Sequence, residues 1–139
     1  MKPVRGRALI PGTADGDILL SAEPISLWGG LDPATGRIID WRHDRHGESV
    51  AGRIFAFPSE KGSSTGSAVL LELIRSGHAP AAIVTRHAAP IVALGAIVAA
   101  ELYERTVPVL VLEPADFAGL RDGDSIHIDE DGIVREFLP

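Results

Sequence analysis

The chain has 139 residues, 45% of them hydrophobic, with a formal net charge of −6 and no cysteine. That length and apolar content suit a single domain, residues 1–139, with a buried core rather than a disordered tail. The acidic balance and the lack of any Lys/Arg run argue against a nucleic-acid partner. Without cysteine the chain forms no disulfide, no thiolate nucleophile and no self-contained iron–sulfur cluster. It also has no run of about 20 apolar residues and no signal-like start, so a soluble cytoplasmic protein without membrane contact is expected.

In chain order, Gly6 to Gly12 and Gly16 to Ser26 read as short strands separated by the turn "PGTADG". Leu27 to Ser49 is crowded with Gly, Pro, Asp and His and reads as loop, with room for a hairpin strand at Arg37 to Asp40. His43 and His46 in this loop read as solvated. Val50 to Phe57 is β-like, with Gly52 marking a bulge. A Gly/Ser-rich loop follows, then a helix from Thr65, in which Val69, Leu70, Leu73 and Ile74 recur at helical spacing. Gly77 is its stop and His78 a helix-end residue. Ala81 to Thr85 reads as a buried strand. Ala89 to Thr106 reads as a second helix with Pro90 in its first turn. Val107 to Glu113 is a strand bounded by Pro114. "SIHI", "DEDG" and "IVREF" close the chain as a hairpin in which His127 faces solvent. The expectation is a mixed α/β fold, its β-rich ends wrapped around a central βαβ unit with two main helices.

The chemistry concentrates in "FPSEKGSSTGSAVLLEL", Phe57 to Leu73. A phosphate loop of the type G-x-x-x-x-G-K-[ST] does not match, because Lys61 precedes Gly62 and the two glycines stand too close. Gly62-Ser63-Ser64-Thr65-Gly66 does satisfy G-x-S-x-G, with Ser64 as nucleophile and Asp116 and His127 in the required order. However, 139 residues leave too few strands for that hydrolase sheet. A helix cap needs one or two hydroxyls, not glycines on both sides. A fourth reading uses the free N–H groups and partial positive charge of a helix start, which suit a carboxylate or a serine alkoxide. Nearby, "SLWGG" (Ser26 to Gly30) reads either as a tight turn approached by a ligand or partner, or as a structural turn with Trp28 buried as a plug.

The phrases "EPISLWGGLDPATGRIID", "HGESVAGRIFAFPSEKGSSTGSAVLLEL" and "GHAPAAIV" resemble the small, swivelling subunit of the aconitase X family, in the expected order over nearly the whole chain. The resemblance implies a β/β/α swivelling domain with a small barrel-like sheet. It implies a hydro-lyase that dehydrates a small hydroxy acid, and a chain length typical of a whole subunit. The iron–sulfur cluster and its cysteines would lie on a large subunit, with no cofactor bound by this chain and no metal site of its own. The family's base serine falls on Ser63. Ser64, Thr65, Gly66 and Gly62, with Ser26, Gly29 and Gly30, would line the substrate. In the wider superfamily an arginine follows the G-S-S turn; here Thr65 and Gly66 stand there, so that clamp must come from elsewhere. Two activities compete: dehydration of cis-3-hydroxy-L-proline, favoured by the acidic, Lys-poor composition, and dehydration of mevalonate 5-phosphate. A stand-alone swivel module binding a ligand or partner without chemistry is the reading from another class.

Overall fold

The computed structural model describes residues 1–138. Its elements are β1 (Val4–Arg5), β2 (Arg7–Ile10), β3 (Ala14–Leu20), α1 (Leu27–Gly30), β4 (Ile54–Phe57), α2 (Gly66–Ser76), β5 (Ala82–Thr85), α3 (Pro90–Tyr103), β6 (Val109–Val111), α4 (Pro114–Ala118), β7 (Ser125–Ile128) and β8 (Ile133–Glu136). The strands form one sheet in the order β1-β8-β7-β3-β4-β5-β6-β2. β3, β4, β5 and β6 run parallel, and the flanking pairs are antiparallel.

The two outermost strands of that order are consecutive in the chain, separated only by Gly6, so the sheet curls almost into a barrel. Gly6 donates its N–H to Gly132 O at 2.8 Å. A Cβ at Gly6 would stand 2.7 Å from Leu110 Cγ, so the crossing requires glycine. β3 joins the two halves: its first residues pair with β7 and its last three with β4.

The central strands are buried on both faces, which is why they read as continuous apolar runs. Phe55, Phe57 and Ile83 point into a core shared with Leu70 and Leu73 of α2 and Val92 and Ala96 of α3. Ile54, Ala56, Ala82 and Val84 point the other way, into a core closed by Leu110, Phe117, Ile126 and Val134. The layering is therefore sheet half, sheet half, helices. The helices cross closely because α3 carries Gly95 where a Cβ would lie 2.6 Å from Ser67 O of α2.

The expected elements are present with shorter bounds. The first expected strand is β2, and β1 ahead of Gly6 was not foreseen; the second starts at Ala14, inside the expected turn, and ends at Leu20 because the chain turns away at Ser21. Arg37 to Asp40 contributes only isolated bridges, Leu31 with Ile38 and Arg37 with Ser49. Gly52 is no bulge. It has φ 70° in the turn before β4 and donates to Ala79 O. The short helix α4 was not foreseen, although Pro114 occupies its first turn as helix starts favour. α2 ends as expected: Gly77 is left-handed (φ 82°) and His78 N–H returns to Leu73 O at 2.9 Å.

Candidate active site

Three loops leave the carboxyl ends of adjacent parallel strands: 21–30 after β3, 58–65 after β4 and 86–89 after β5. That edge is where open parallel sheets leave a crevice for ligands. Backbone bonds fasten the three together. Ile25 N–H donates to Ser59 O (3.3 Å) and Lys61 N–H to Ile25 O (3.1 Å). Arg86 and His87 N–H both donate to Pro58 O at 3.1 Å.

Glu60 completes the anchoring, and sequence reasoning missed it. Its carboxylate accepts Ile91 N–H at 2.9 Å and Val92 N–H at 3.0 Å, filling the N-terminus of α3. Two orphan amides are satisfied, and the negative charge sits against the positive end of the helix. The loop is thus held at its base from both sides while its tip, Lys61 to Thr65, stays exposed.

At the tip, Ser63 caps the turn that opens into α2. Thr65 N–H donates to Ser63 Oγ (3.0 Å), Ser63 Oγ–H donates to Thr65 Oγ1 (3.0 Å), and Gly66 N–H donates to Ser63 O (3.0 Å). The N-cap position of α2 is Thr65, which makes no side-chain cap bond, and the Thr65 and Gly66 amides are already engaged by Ser63. The backbone N–H groups of Gly62, Ser63 and Ser64 have no partner among the described residues. Ser67 Oγ donates to Ser64 O at 2.8 Å, a structural role.

The glycines divide. Gly62 is exposed with φ 87°, and a Cβ there would lie 2.7 Å from Ser26 Oγ. The two sequence phrases therefore meet at this contact, while Ser26 Oγ–H donates to Trp28 O at 2.9 Å. Gly66 is buried, its missing side chain leaving room for Ile91 (3.3 Å) and Leu27 (3.5 Å), so it packs α2 rather than admitting a ligand. Gly29 is left-handed (φ 81°) and open to solvent. Gly30 is buried against Ile25, and its carbonyl accepts Ile39 N–H. Trp28 is no core plug: it is 59% exposed beside the loop.

The alternative catalytic groupings do not assemble. His127 pairs with Asp15 across β7 and β3, and neither it nor Asp116 bonds Ser64 among the described residues. His43 is buried, contrary to expectation, in a Ser21–His43–Asp44 cluster that resembles a triad by composition only. Its Nδ1 accepts Arg45 N–H (3.1 Å), so Nε2 carries the proton and donates to Ser21 Oγ (2.8 Å). A histidine in that tautomer cannot take a proton from the serine, and Ser21 is wholly buried. Burial disfavours the Asp44 carboxylate, yet bonds from Ala22 N–H and Ser21 with the nearby His43 outweigh it and hold its pKa below the usual value. The cluster fastens the 41–47 turn to the end of β3.

Two cores on either side of one nearly closed sheet, with both long helices on one side, make this a β/β/α domain of the swivelling kind. Residues 3–136 match the family model described as the aconitase X swivel domain, and the chain belongs to that family. It is 48% identical over 106 residues to a cis-3-hydroxy-L-proline dehydratase of Pseudomonas aeruginosa, covering 76% of this chain and 18% of that one. It is 38% identical over 138 residues to the phosphomevalonate dehydratase small subunit of Methanosarcina acetivorans, covering 98% of this chain and 92% of the relative. The chain therefore spans about a fifth of the hydroxyproline dehydratase and nearly all of the small subunit. The crystal structure of Thermococcus kodakaraensis aconitase X superimposes with a TM-score of 0.88 at 34% identity, over 99% of this chain and 100% of that one. Among the described residues, no helix is long and apolar enough to cross a membrane.

Proposed function

We propose that this chain is the small subunit of an aconitase X-type hydro-lyase and that Ser63 removes the proton when a hydroxy acid is dehydrated. The observation that carries the reading is the exposed Ser63 hydroxyl, capping the turn that opens into α2 at the carboxyl edge of the parallel strands. An ordinary serine is too weak an acid to serve as a base, so its surroundings must favour the alkoxide. Thr65 N–H already points at Ser63 Oγ, and the Thr65 hydroxyl can rotate to donate to the same oxygen once its proton is gone. The first turn of an 11-residue helix adds its partial positive charge. The unpartnered amides of Gly62, Ser63 and Ser64 are donors for a substrate carboxylate brought to the loop.

The chain's own side chains do not fit an iron–sulfur cluster. It has no cysteine, and no group of three or more His, Asp or Glu gathers at metal-binding distance among the described residues. The proposal places the cluster on a large subunit, so this chain's own share of the chemistry falls to Ser63, Thr65 and the loop amides. A partner is also supported by the outer face of α3, where Leu94, Ile97 and Leu102 are exposed.

The substrate favoured is cis-3-hydroxy-L-proline, supported by the 48% identity to a dehydratase of that name. Phosphomevalonate is the second reading, supported by the end-to-end match to a separate small subunit. The test is co-expression with a cysteine-bearing large subunit and assay of both acids. The pair is expected to dehydrate one of them, and the chain alone neither. Ser63→Ala should lower turnover by about a hundred- to ten-thousandfold while the pair still co-elutes. An active Ser63→Ala beside a dead Ser64→Ala would remove Ser63 as the base. A co-eluting pair without activity on either acid would leave only a binding module.

A further inference from the structure

A second cluster of chemistry lies on the same sheet edge, beyond the Ser63 loop. Arg5, Arg7, Arg86 and His87 line a cavity of about 350 Å³ with Val111, Glu113 and Pro114. These residues come from three separate stretches of the sequence, 5–7, 86–88 and 111–114, and the sheet register brings them together. Val111 pairs with Thr85 on one side and with Arg7 on the other, so the β2 start and the β5 end flank the last residue of β6. The missing side chain of Gly6 points inward at Leu110 and Leu112. Arg5 and Arg7, on either side of it in extended chain, therefore point outward, where Val111 forms the floor. Arg86 is held by the bond from its N–H to Pro58 O, and the Thr85 hydroxyl orders the same turn by donating to His87 O at 2.6 Å.

The charge is compensated only in part. Among the described residues no carboxylate lies within 4 Å of the guanidinium groups of Arg5, Arg7 or Arg86; Arg45, Arg53, Arg75 and Arg135 have acidic partners, Arg37, Arg42, Arg105 and Arg121 do not, and what sets the three apart is that they share one concavity. Among the described residues the Arg5 guanidinium donates only to Asp131 O, at 3.4 Å. Glu113 is the one acid lining the cavity, against three arginines. In a chain of net charge −6, three unpaired guanidiniums converging on one concavity focus a positive potential there. Guanidinium forks match the oxygens of carboxylate and phosphate, which neither an apolar nor a cationic ligand would satisfy.

We propose that this cavity is a binding site for a small oxyanion, a carboxylate or phosphate group, held by Arg7 and Arg86 with Arg5 at the rim. It stands apart from the dehydration reading, since it needs neither Ser63 nor a particular hydroxy acid. The full chain, labelled with nitrogen-15, is titrated with inorganic phosphate and separately with acetate, with chloride holding the ionic strength constant. Phosphate should move the amide resonances of Arg7, Arg86, His87 and Val111 saturably and leave those of the C-terminal turn of α2 in place. The double variant Arg7→Gln/Arg86→Gln should need about tenfold more phosphate or fail to saturate. Its resonances away from the cavity should overlay those of the parent, which controls for folding. Acetate saturating the same set assigns the site to carboxylate as well as phosphate; phosphate alone saturating it restricts the site to phosphate. Shifts scattered over the surface, or an unchanged titration in the double variant, would overturn the proposal. Catalysis plays no part in the readout, so a phosphate site in a chain that supports no dehydratase would sink the functional reading and keep this one.

Discussion

Ser63 has two duties that ordinary mutagenesis would confuse. Its side chain caps the turn that opens into α2 through Thr65 N–H, and the proposed chemistry needs the same oxygen as a base. Ser63→Ala loses both, with a cap cost of about 1 kcal/mol, whereas glycine at a cap costs only a few tenths. Ser63→Gly should therefore unfold within a few tenths of a kcal/mol of the parent in urea, yet lose as much turnover as Ser63→Ala. A Gly variant that keeps activity would reduce Ser63 to a cap. Thr65→Val keeps the amide and removes the hydroxyl that Ser63 now bonds. If that hydroxyl turns to the alkoxide, kcat should fall about ten- to a hundredfold, the worth of a hydrogen bond to a charged group, with KM little changed. The hydroxyls of this loop were legible because they are contiguous. Glu60 was not, since its partners Ile91 and Val92 lie 31 and 32 residues away and nothing local marks a carboxylate as the cap of a remote helix. The burial of His43 was hidden in the same way: its partner Ser21 lies 22 residues earlier, in what read as a strand.

At the scale of elements, the helix pair sets the position of the loop. Gly95→Ala would gain about 1 kcal/mol of helix propensity. The added Cβ would meet the Ser67 carbonyl at 2.6 Å, however, and a backbone oxygen one residue into α2 cannot swing aside as a flexible side chain could. The clash should win, with a net loss of about 1–3 kcal/mol in the unfolding free energy measured in urea. A stabilised variant would show that α2 and α3 do not cross as closely as described. The outward face of α3 allows a separate test. The helix is apolar on nearly all sides, the pattern of an element covered on both faces, and its N-terminus is joined to the Ser63 loop through Glu60. Ile97 is 49% exposed, so Ile97→Glu should leave the isolated chain folded and weaken co-elution with the proposed large subunit. Equal co-elution would place the partner on another surface. Strands β4 and β5 and both long helices were legible because each is a contiguous run with its own periodicity or double-sided burial. The pairing of Arg7 with Val111 was not, since it joins residues over a hundred positions apart. The sequence therefore points to the serine half of this edge and conceals the arginine half.

For the whole molecule, acid is the informative perturbation, because several carboxylates link distant parts of the fold. Asp122 accepts Leu20 N–H at 2.9 Å and pairs with Arg45 at 3.2 Å, fixing the end of β3 to the loop before β7 and to the 41–47 turn. The Leu20 bond is the main reason its pKa lies below the usual value; partial burial opposes this, and Arg45 reinforces it. Asp129 is lowered chiefly by the Ile133 N–H bond inside the closing hairpin, and Asp44 is lowered as well. A carboxyl whose folded pKa is depressed adds stability that is fully present above its unfolded value of about 3.9 and is lost as pH falls through the folded value. The urea midpoint should therefore show no contribution from these groups to its pH dependence between about pH 5 and 8, then drop steeply below about pH 4. Asp122→Asn should be less stable than the parent at about pH 7 and fall less steeply, so that the two curves converge as pH falls through the lowered pKa of Asp122. If the variant keeps the parental slope, Asp122 is not one of the groups that couple protons to this fold. Because Asp122 grips the strand that leads directly into the Ser26 turn, the same titration should loosen that turn before the sheet melts. In a Trp41→Phe background the exposed Trp28 there supplies the fluorescence signal, and its transition should precede loss of far-UV circular dichroism on acidification. Coincident transitions would instead make the turn part of the same cooperative unit as the sheet.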